Sequence, residues 1–597
     1  MNEMRQKAIQ FIRLMSTPIC KELPFFIFCS LTGCVISGIN LYNNGMPTTD
    51  TIAGTVGGFG IALLWAYLIT TMVAWTRKRV VKVLLYLLLG VYLIINLFLY
   101  YNYGTTVSPS ILVVTAETNQ QEACDFMNAF LFSKQSITAY LIALGIIVAT
   151  VIAELFHRPL SRIMRHKAVT IIAAIMAMII LLIGIPAALN VYIPLTRCQS
   201  PDDISQWRFR TFVRPVDTFT DLLYSTYDIW LASSNTHKAI AANRLVATDS
   251  ISSVEPDSLT IAVVIGESYI KSHCQLYGYH LATTPHLKNE LDSGRLYVFD
   301  DVVSPYNMTS DVIKNVFSCN NMGAGEHWYD IPTFPAIFRK CGYHVNFWDN
   351  QRLFDAQKEY TFALNSFLYN DEIYNACYDR TNKKTYKYDH QLIESFRKDI
   401  SHDHLRQLDI IHLMGQHFTA SNRYPRTLYF CRFRSDSITS KAPYLTKKKK
   451  YQIACYDNAT FYNDDVMNKI INLYKNKNAV VVYFADHGEE IYDYRDFKGR
   501  EHGELSAQAL KYQFEVPFMI WTSDRYKASH ADICADLVSA THRPMLLDDL
   551  CQILFRLGNV KTSYYHPQRD VTHRLYQSHK RLIRGQFYYE DKIKENL

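Results

Sequence analysis

The sequence predicts two unlike parts in one chain: an α-helical membrane domain of five transmembrane helices, then an extracytoplasmic α/β domain with a mostly parallel central sheet. Three observations carry the prediction. Apolar residues crowd the first third of the 597 residues, basic residues recur at alternate connections between the apolar stretches, and from residue 257 short β-branched runs alternate with helical ones. The boundaries that follow are 1–190 for the membrane helices, 191–256 for a linker and 257–597 for the outer domain.

A bilayer core takes about 20 mostly apolar residues per helix. Five stretches qualify: Leu23 to Tyr42, Thr51 to Trp75, Val83 to Tyr101, Ile137 to Phe156 and Val169 to Leu189. Arg5, Lys7, Arg13 and Lys21 precede the first; Arg77, Lys78, Arg79 and Lys82 separate the second from the third; Arg158, Arg162, Arg165 and Lys167 separate the fourth from the fifth. The other two connections hold only Lys134. By the positive-inside rule the amino terminus is then cytoplasmic and everything after about residue 190 lies outside. The first apolar run has no small-residue cleavage site after it and reads as retained. The formal net charge of +7 is explained by this placement and calls for no nucleic-acid partner.

Between 190 and 256, aromatic residues recur at helical spacing from Phe212 to Trp230. Such a segment suits the membrane surface or an ordinary packing helix. The thirteen cysteines show no regular CxxC spacing, and those beyond Cys198 face an oxidising space in which they could pair.

In the outer domain, Leu259 to Ile265, Leu408 to Met414 and Ala479 to Ala485 are the clearest strands. Each runs into chemically capable residues: Glu267, His417, and the pair Asp486 and His487. Open α/β sheets bind ligands at the carboxyl ends of their strands, so these side chains converge on one site. Asp486-His487-Gly488 offers oxygen and nitrogen donors suited to zinc at about 2.0 to 2.2 Å, and Glu267 adds a third. The run Lys447 to Lys450 reads as a solvated loop.

With these motifs in place the chain resembles the lipid-linked phosphoethanolamine transferases of the alkaline phosphatase and sulfatase superfamily. Gly266-Glu267-Ser268, Leu276-Tyr277-Gly278-Tyr279 and Thr283-Thr284-Pro285-His286-Leu287 look like the family's opening block. Phe317-Ser318 resembles the pair that follows the family's nucleophilic threonine by eight residues, which selects Thr309 over the neighbouring Ser304, Ser310 and Ser318. The resemblance implies an alkaline phosphatase-like fold in which Glu267, Thr309, Asp486 and His487 hold zinc, one ion or two, and Thr309 attacks phosphorus. His417, in Met414-Gly415-Gln416-His417 ahead of Arg423-Tyr424-Pro425, and His502, in Glu501-His502-Gly503, would bind phosphate or a second zinc. Phe418-Thr419 stands where the family has gly-pro, a departure at this loop. Asp457-Asn458 and Asp465 match a family helix and read as structural, while His273, His280, His286 and His412 read as packed or surface histidines. The loop from Val107 to Phe126, with Thr118 and Glu122, resembles a segment that receives the lipid donor.

The implied reaction moves phosphoethanolamine from phosphatidylethanolamine, in two displacements through Thr309, onto an envelope glycolipid, lipid A first. The implied location is the bacterial inner membrane, multi-pass, with the catalytic domain in the periplasm. Two alternatives share the fold: a phosphoglycerol transferase of the lipoteichoic acid synthase type, and a non-catalytic membrane sensor. A sulfatase reaction is disfavoured, because the chain has no C/S-x-P-x-R motif.

Overall fold

The computed structural model describes residues 2–43, 49–76, 78–103, 130–156, 166–198, 218–246, 257–351, 371–399, 404–500 and 505–594, with isolated positions between them. The chain divides into two compact units, one ending at Ala232 and the other made of Ser233–Arg500 with Leu505–Leu597.

The first unit is helical: α1 (Asn2–Lys21), α2 (Leu23–Asn43), α3 (Thr49–Thr76), α4 (Arg79–Tyr103), α5 (Lys134–Leu155) and α6 (Lys167–Leu195). Helices α3 to α6 are each long and apolar enough to cross a bilayer, as expected from their sequence. The expected span at Leu23 to Tyr42 is refined. It meets the requirement only together with α1, from which it turns by 78°, so among the described residues the crossings number four, or five if the bent pair counts as one. Pro24 lies at this turn and has no N–H to continue the backbone ladder. The basic residues ahead of the span therefore sit on a helix of their own, with Arg5, Lys7 and Arg13 exposed and Met15 and Ile19 buried.

Two features suit these helices to a bilayer. Leu88 of α4 and Leu182 of α6 are 66% and 69% exposed, so both helices turn apolar side chains outward. At the inner face, a Cβ on Gly184 would lie 2.7 Å from the Gly60 carbonyl oxygen, so α3 and α6 approach backbone to backbone. Lys82 pairs with Glu22 at 2.7 Å and Glu154 at 2.5 Å, and Tyr86 donates to Glu154. These residues lie at the starts of α2 and α4 and the end of α5. The three termini share one side, as alternating crossings require. The chain is a multi-pass membrane protein.

A 28-residue helix, α7 (Thr218–Leu245), passes from the first unit to the second. Tyr224 and Leu231 are buried in the first core, Ala239 and Ile240 in the second.

The second unit is built on a sheet that has seven strands among the described residues. In chain order its strands are β1 (Leu259–Gly266), β2 (Leu296–Phe299), β3 (His344–Asp349), β4 (Arg380–Thr381), β5 (Arg406–His412), β6 (Ala479–Ala485) and β7 (Phe518–Thr522). Their order in space is β2-β7-β6-β1-β5-β3-β4. All neighbours from β6 to β4 are parallel, and only β7 runs against its partners, so the expected mostly parallel sheet is present. Every residue of β1 is buried, with Val263 paired to Ile410 of β5 and Val482 of β6. A strand covered on both faces favours such a continuous β-branched run. Helices α8 (Pro285–Asp292), α9 (Thr309–Phe317) and α10 (Lys447–Tyr474) bear on the site.

Three details differ from the sequence-based expectation. Strand β5 ends at His412 rather than Met414. Lys447 to Lys450 form the first turn of α10, not a loop. Thr446 caps that turn, its side chain accepting from Lys449 N, and the buried face from Ile453 to Tyr474 anchors the rest of the helix. In the helix motif, Asp465 pairs with Lys469 at 3.1 Å, and its neighbour Asp464 adds a contact not expected, accepting from His286 N and Leu287 N at the start of α8.

His273 is buried between two carboxylates, 2.7 Å from Asp457 and 2.8 Å from Asp493. Burial opposes its charge, but the two carboxylates outweigh it and raise the imidazole to about 10. A pKa raised in the folded state adds stability that is complete below the unfolded value near 6.5 and is lost as pH rises through about 10. Thermal melts of the detergent-solubilised protein should therefore show a midpoint falling between pH ~7 and ~10. In His273→Gln that slope should be flatter; an unchanged slope would refute the paired-ion assignment.

Candidate active site at the strand ends

Four adjacent parallel strands, β6, β1, β5 and β3, deliver their following loops to one edge of the sheet. Glu267 follows β1, Asp486 and His487 follow β6, Gly415 to His417 follow β5, and Gln351 lies just past β3. Glu267, Asp486 and His487 are fully buried, with their ligand atoms within 4.8 Å of one another. Thr309, at the first turn of α9, completes the group. Its Oγ1 lies 3.1 Å from Glu267 Oε2 and 3.2 Å from His487 Nε2.

Backbone constraints hold Glu267 in place. Gly415 has φ +50°, and a Cβ there would lie 2.8 Å from Glu267 N. A Cβ on Gly266 would lie 2.1 Å from the Tyr483 hydroxyl. Asp389 fixes the Gly415 loop by accepting from Met414 N and Gly415 N at 2.9 and 3.0 Å. Ser268 takes φ +53°, aiming its N–H at Asp486 Oδ1 (3.1 Å) and its hydroxyl at Glu267 Oε1 (2.7 Å). Tyr456 of α10 pins the same segment, donating to Ser268 O and accepting from Ile270 N.

His487 Nδ1 lies 2.9 Å from Gly488 O, to which it donates. That contact selects the tautomer with a free lone pair on Nε2. Nε2 then faces Glu267 Oε1 at 3.3 Å, Asp486 Oδ2 at 3.2 Å, Thr309 Oγ1 at 3.2 Å and Arg500 Nη1 at 2.5 Å. Burial and the Arg500 charge push His487 down to about 3. The two carboxyls split. Burial disfavours charge on Glu267, but His487, His417 and Arg500 hold it well below the usual carboxylate range, whereas burial and the Glu267 charge push Asp486 well above it. Two buried carboxylates this close do not both ionise without a further cation.

Of the other expected residues, His417 is half-buried, with Nδ1 buried and lacking a hydrogen-bond partner among the described residues. Burial pushes it down to about 4, against the pull of Glu267. Where the family has gly-pro, Thr419 takes φ +63°, and Arg423 closes the loop by donating to His417 O and Phe418 O. Two of the rival serines are engaged elsewhere: Ser304 donates to Asp486 O and Ser318 to Ile331 O. His502, Thr118 and Glu122 lie outside the described residues. Two contacts were missed from sequence. Gln351 donates to Glu267 Oε2 at 3.1 Å, and Arg500 donates to Asn307 O as well as to His487. The strand-end rule would have found Gln351 had β3 been recognised; no local signal marks Arg500.

The sulfatase family profile matches residues 260–559, the part of the chain that carries β1, the cluster and α9. The chain belongs to the sulfatase family. Within it, the chain is 26% identical over 565 residues to phosphoethanolamine transferase EptC of Escherichia coli (strain K12), covering 92% of this chain and 90% of that protein. The resemblance to phosphoethanolamine transferases thus extends over nearly the whole length. The fold is shared with the integral membrane lipooligosaccharide phosphoethanolamine transferase A of Neisseria meningitidis, with a TM-score of 0.60 and 15% identity over 93% of this chain and 98% of that one. The zinc complex of the periplasmic domain of E. coli EptC matches with a TM-score of 0.50 and 24% identity, covering 57% of this chain and 95% of that one.

The sulfatase-family cluster fits a zinc ion on its own chemistry. Donor atoms about 2.0 Å from a tetrahedral ion lie about 3.3 Å apart. The separations from Nε2 to Glu267, Asp486 and Thr309 are 3.2 to 3.3 Å, and Asp486 Oδ2 is buried without a hydrogen-bond partner among the described residues. Metal content and stability should move oppositely in Asp486→Asn. By elemental analysis the variant should hold little zinc. Its chelator-treated form should melt higher than chelator-treated parent, because no buried carboxyl must be kept protonated. Full zinc retention would remove Asp486 from the donor set.

Proposed function

We propose that the chain transfers phosphoethanolamine from phosphatidylethanolamine to an envelope glycolipid, with lipid A as the leading acceptor, using Thr309 as the nucleophile. The observation that carries this is the Thr309 hydroxyl, set against Glu267 Oε2 and His487 Nε2 at the start of a helix. The whole-length likeness to the E. coli transferase supports the transferred group.

Glu267, Asp486, His487 and Thr309 would hold a zinc ion, which when bound supplies the positive charge that favours an ionised hydroxyl and stabilises phosphoryl oxygens. The chain's own groups do the rest. Glu267 Oε2 accepts the Thr309 O–H and orients its oxygen. The amino end of α9 favours negative charge at the incoming phosphate. Arg500, held by Asn307 O, adds a cation on the same side. Thr309 Oγ1 bonds to phosphorus while the bond from phosphorus to the diacylglycerol oxygen breaks, and the proton lost from the Thr309 hydroxyl ends on that leaving oxygen. An acceptor hydroxyl oxygen then bonds to the same phosphorus as the bond to Thr309 Oγ1 breaks, and the acceptor's proton restores the Thr309 hydroxyl. His417 and His502 are assigned to the phosphate or a second zinc, Thr118 and Glu122 to the lipid donor, and the catalytic unit to the periplasmic face of the inner membrane.

Purified protein given a fluorescent phosphatidylethanolamine should release labelled diacylglycerol, and a chelator should stop it. Thr309→Ala should lose ~10³-fold or more in rate, while Thr309→Ser keeps measurable activity. Mass spectrometry of stalled protein should find phosphoethanolamine on the peptide carrying Thr309. No release with zinc present would overturn the transfer reaction. Release from labelled phosphatidylglycerol instead would point to the phosphoglycerol reaction.

A further inference from the structure

The segment from Ser421 to Lys450 holds nine Lys and Arg residues against one acidic residue, Asp436, an excess larger than the +7 of the whole chain. Arg426, Arg432, Arg434, Lys441, Lys447 and Lys448 are all exposed. Four consecutive lysines occupy the first turn of α10, where the exposed N–H groups already create a positive end. Cations are disfavoured there unless something negative faces them. Lys449 reaches Asp496 and Lys450 bonds to Ile438 O, but Lys447 and Lys448 have no ion-pair partner among the described residues.

Between Arg426 and Arg432 in the chain, a turn presents an apolar side chain. Thr427 O accepts from Cys431 N, and the turn between them leaves Leu428 92% and Tyr429 54% exposed. Arg426, two residues before Leu428, donates to the Tyr451 hydroxyl at 3.1 Å, which ties the turn to the lysine-bearing end of α10. An exposed aliphatic side chain beside such cations is the composition of an interfacial lipid contact, in which the apolar group enters the headgroup boundary and the cations meet phosphates. A soluble anion would leave Leu428 without a role.

This apron is continuous with the active-site edge. It begins four residues after His417, and Lys498 lies over the Phe418 ring at 4.7 Å. We propose that residues 421–450 form a docking surface for an anionic phospholipid bilayer, with Leu428 and Tyr429 entering the interface and Lys447 and Lys448 meeting lipid phosphates. The surface adds to the membrane helices a second, charge-dependent contact made by the catalytic unit itself. It stands apart from the transfer chemistry and needs no turnover to be seen.

The test is hydrogen exchange on the full chain in nanodiscs of phosphatidylcholine, with or without phosphatidylglycerol. Amides through 426–434 should exchange on the order of three-fold more slowly in the anionic discs, and high salt should erase the difference. Lys447→Glu/Lys448→Glu should abolish the protection and Lys447→Arg/Lys448→Arg should keep it. If charge reversal impairs folding, salt screening of the parent and Leu428→Ser give the same answer. Equal exchange in both lipids, or protection insensitive to salt, would overturn the proposal. So would protection seen only when a phosphorylated glycolipid is added to neutral discs, since that would assign the surface to the glycolipid.

Discussion

Two carboxylates and an imidazole are packed together, fully buried, at the ends of adjacent strands, and much of the catalytic unit exists to make that arrangement tolerable. Burying like charges is costly unless a cation or strong hydrogen bonds compensate. The surroundings supply several. Ser268 gives its N–H and hydroxyl, Gln351 its amide, Thr309 its hydroxyl, and Arg500 a formal charge. The glycines at 266 and 415 answer the same need, since only residues without a Cβ let neighbouring segments close around Glu267.

The membrane unit meets a related constraint by other means. Three of its ionisable groups, Glu22, Lys82 and Glu154, gather at helix termini on one side and pair there. Small residues at the crossing of α3 and α6 allow close contact where lipid offers no hydrophobic drive for helices to associate. In both units polar groups are placed where partners exist.

The fold class was legible because its signals are repetitive: long apolar runs with alternating charge, and β-branched runs ending in polar residues. The same regularity exposed Glu267, Asp486 and His487, each directly beyond a strand. It failed at β3, where Asn346 interrupts the apolar run. That side chain is buried and donates to Asp409, which also accepts from Gln407 and Tyr474, so a polar network inside the sheet hides the strand. Thr309 had no local signature and was reachable only through family spacing. Arg500 was not reachable at all, since its position depends on a hairpin whose two short strands, Glu490–Ile491 and Lys498–Gly499, carry no apolar pattern. The lysine run misled because solvated charge was weighed without the buried stretch that follows it in α10.

Helix α10 draws these threads into one structure. Through Tyr456 it sets the segment after Glu267, and through Asp457 it holds His273. Through Gln452 and Lys449 it fastens Tyr492 and Asp496 of the hairpin that brings Arg500 to His487. The hairpin in turn reaches the Thr309 loop, because Glu490 accepts from Gln513, whose side chain accepts from Asn307. One helix therefore positions the carboxylate on one side of the cluster and the cation on the other. A displacement of its first turns would be felt at both. That turn carries Lys447 and Lys448, which have no ion-pair partner among the described residues, so whatever neutralises them also steadies this end of the helix.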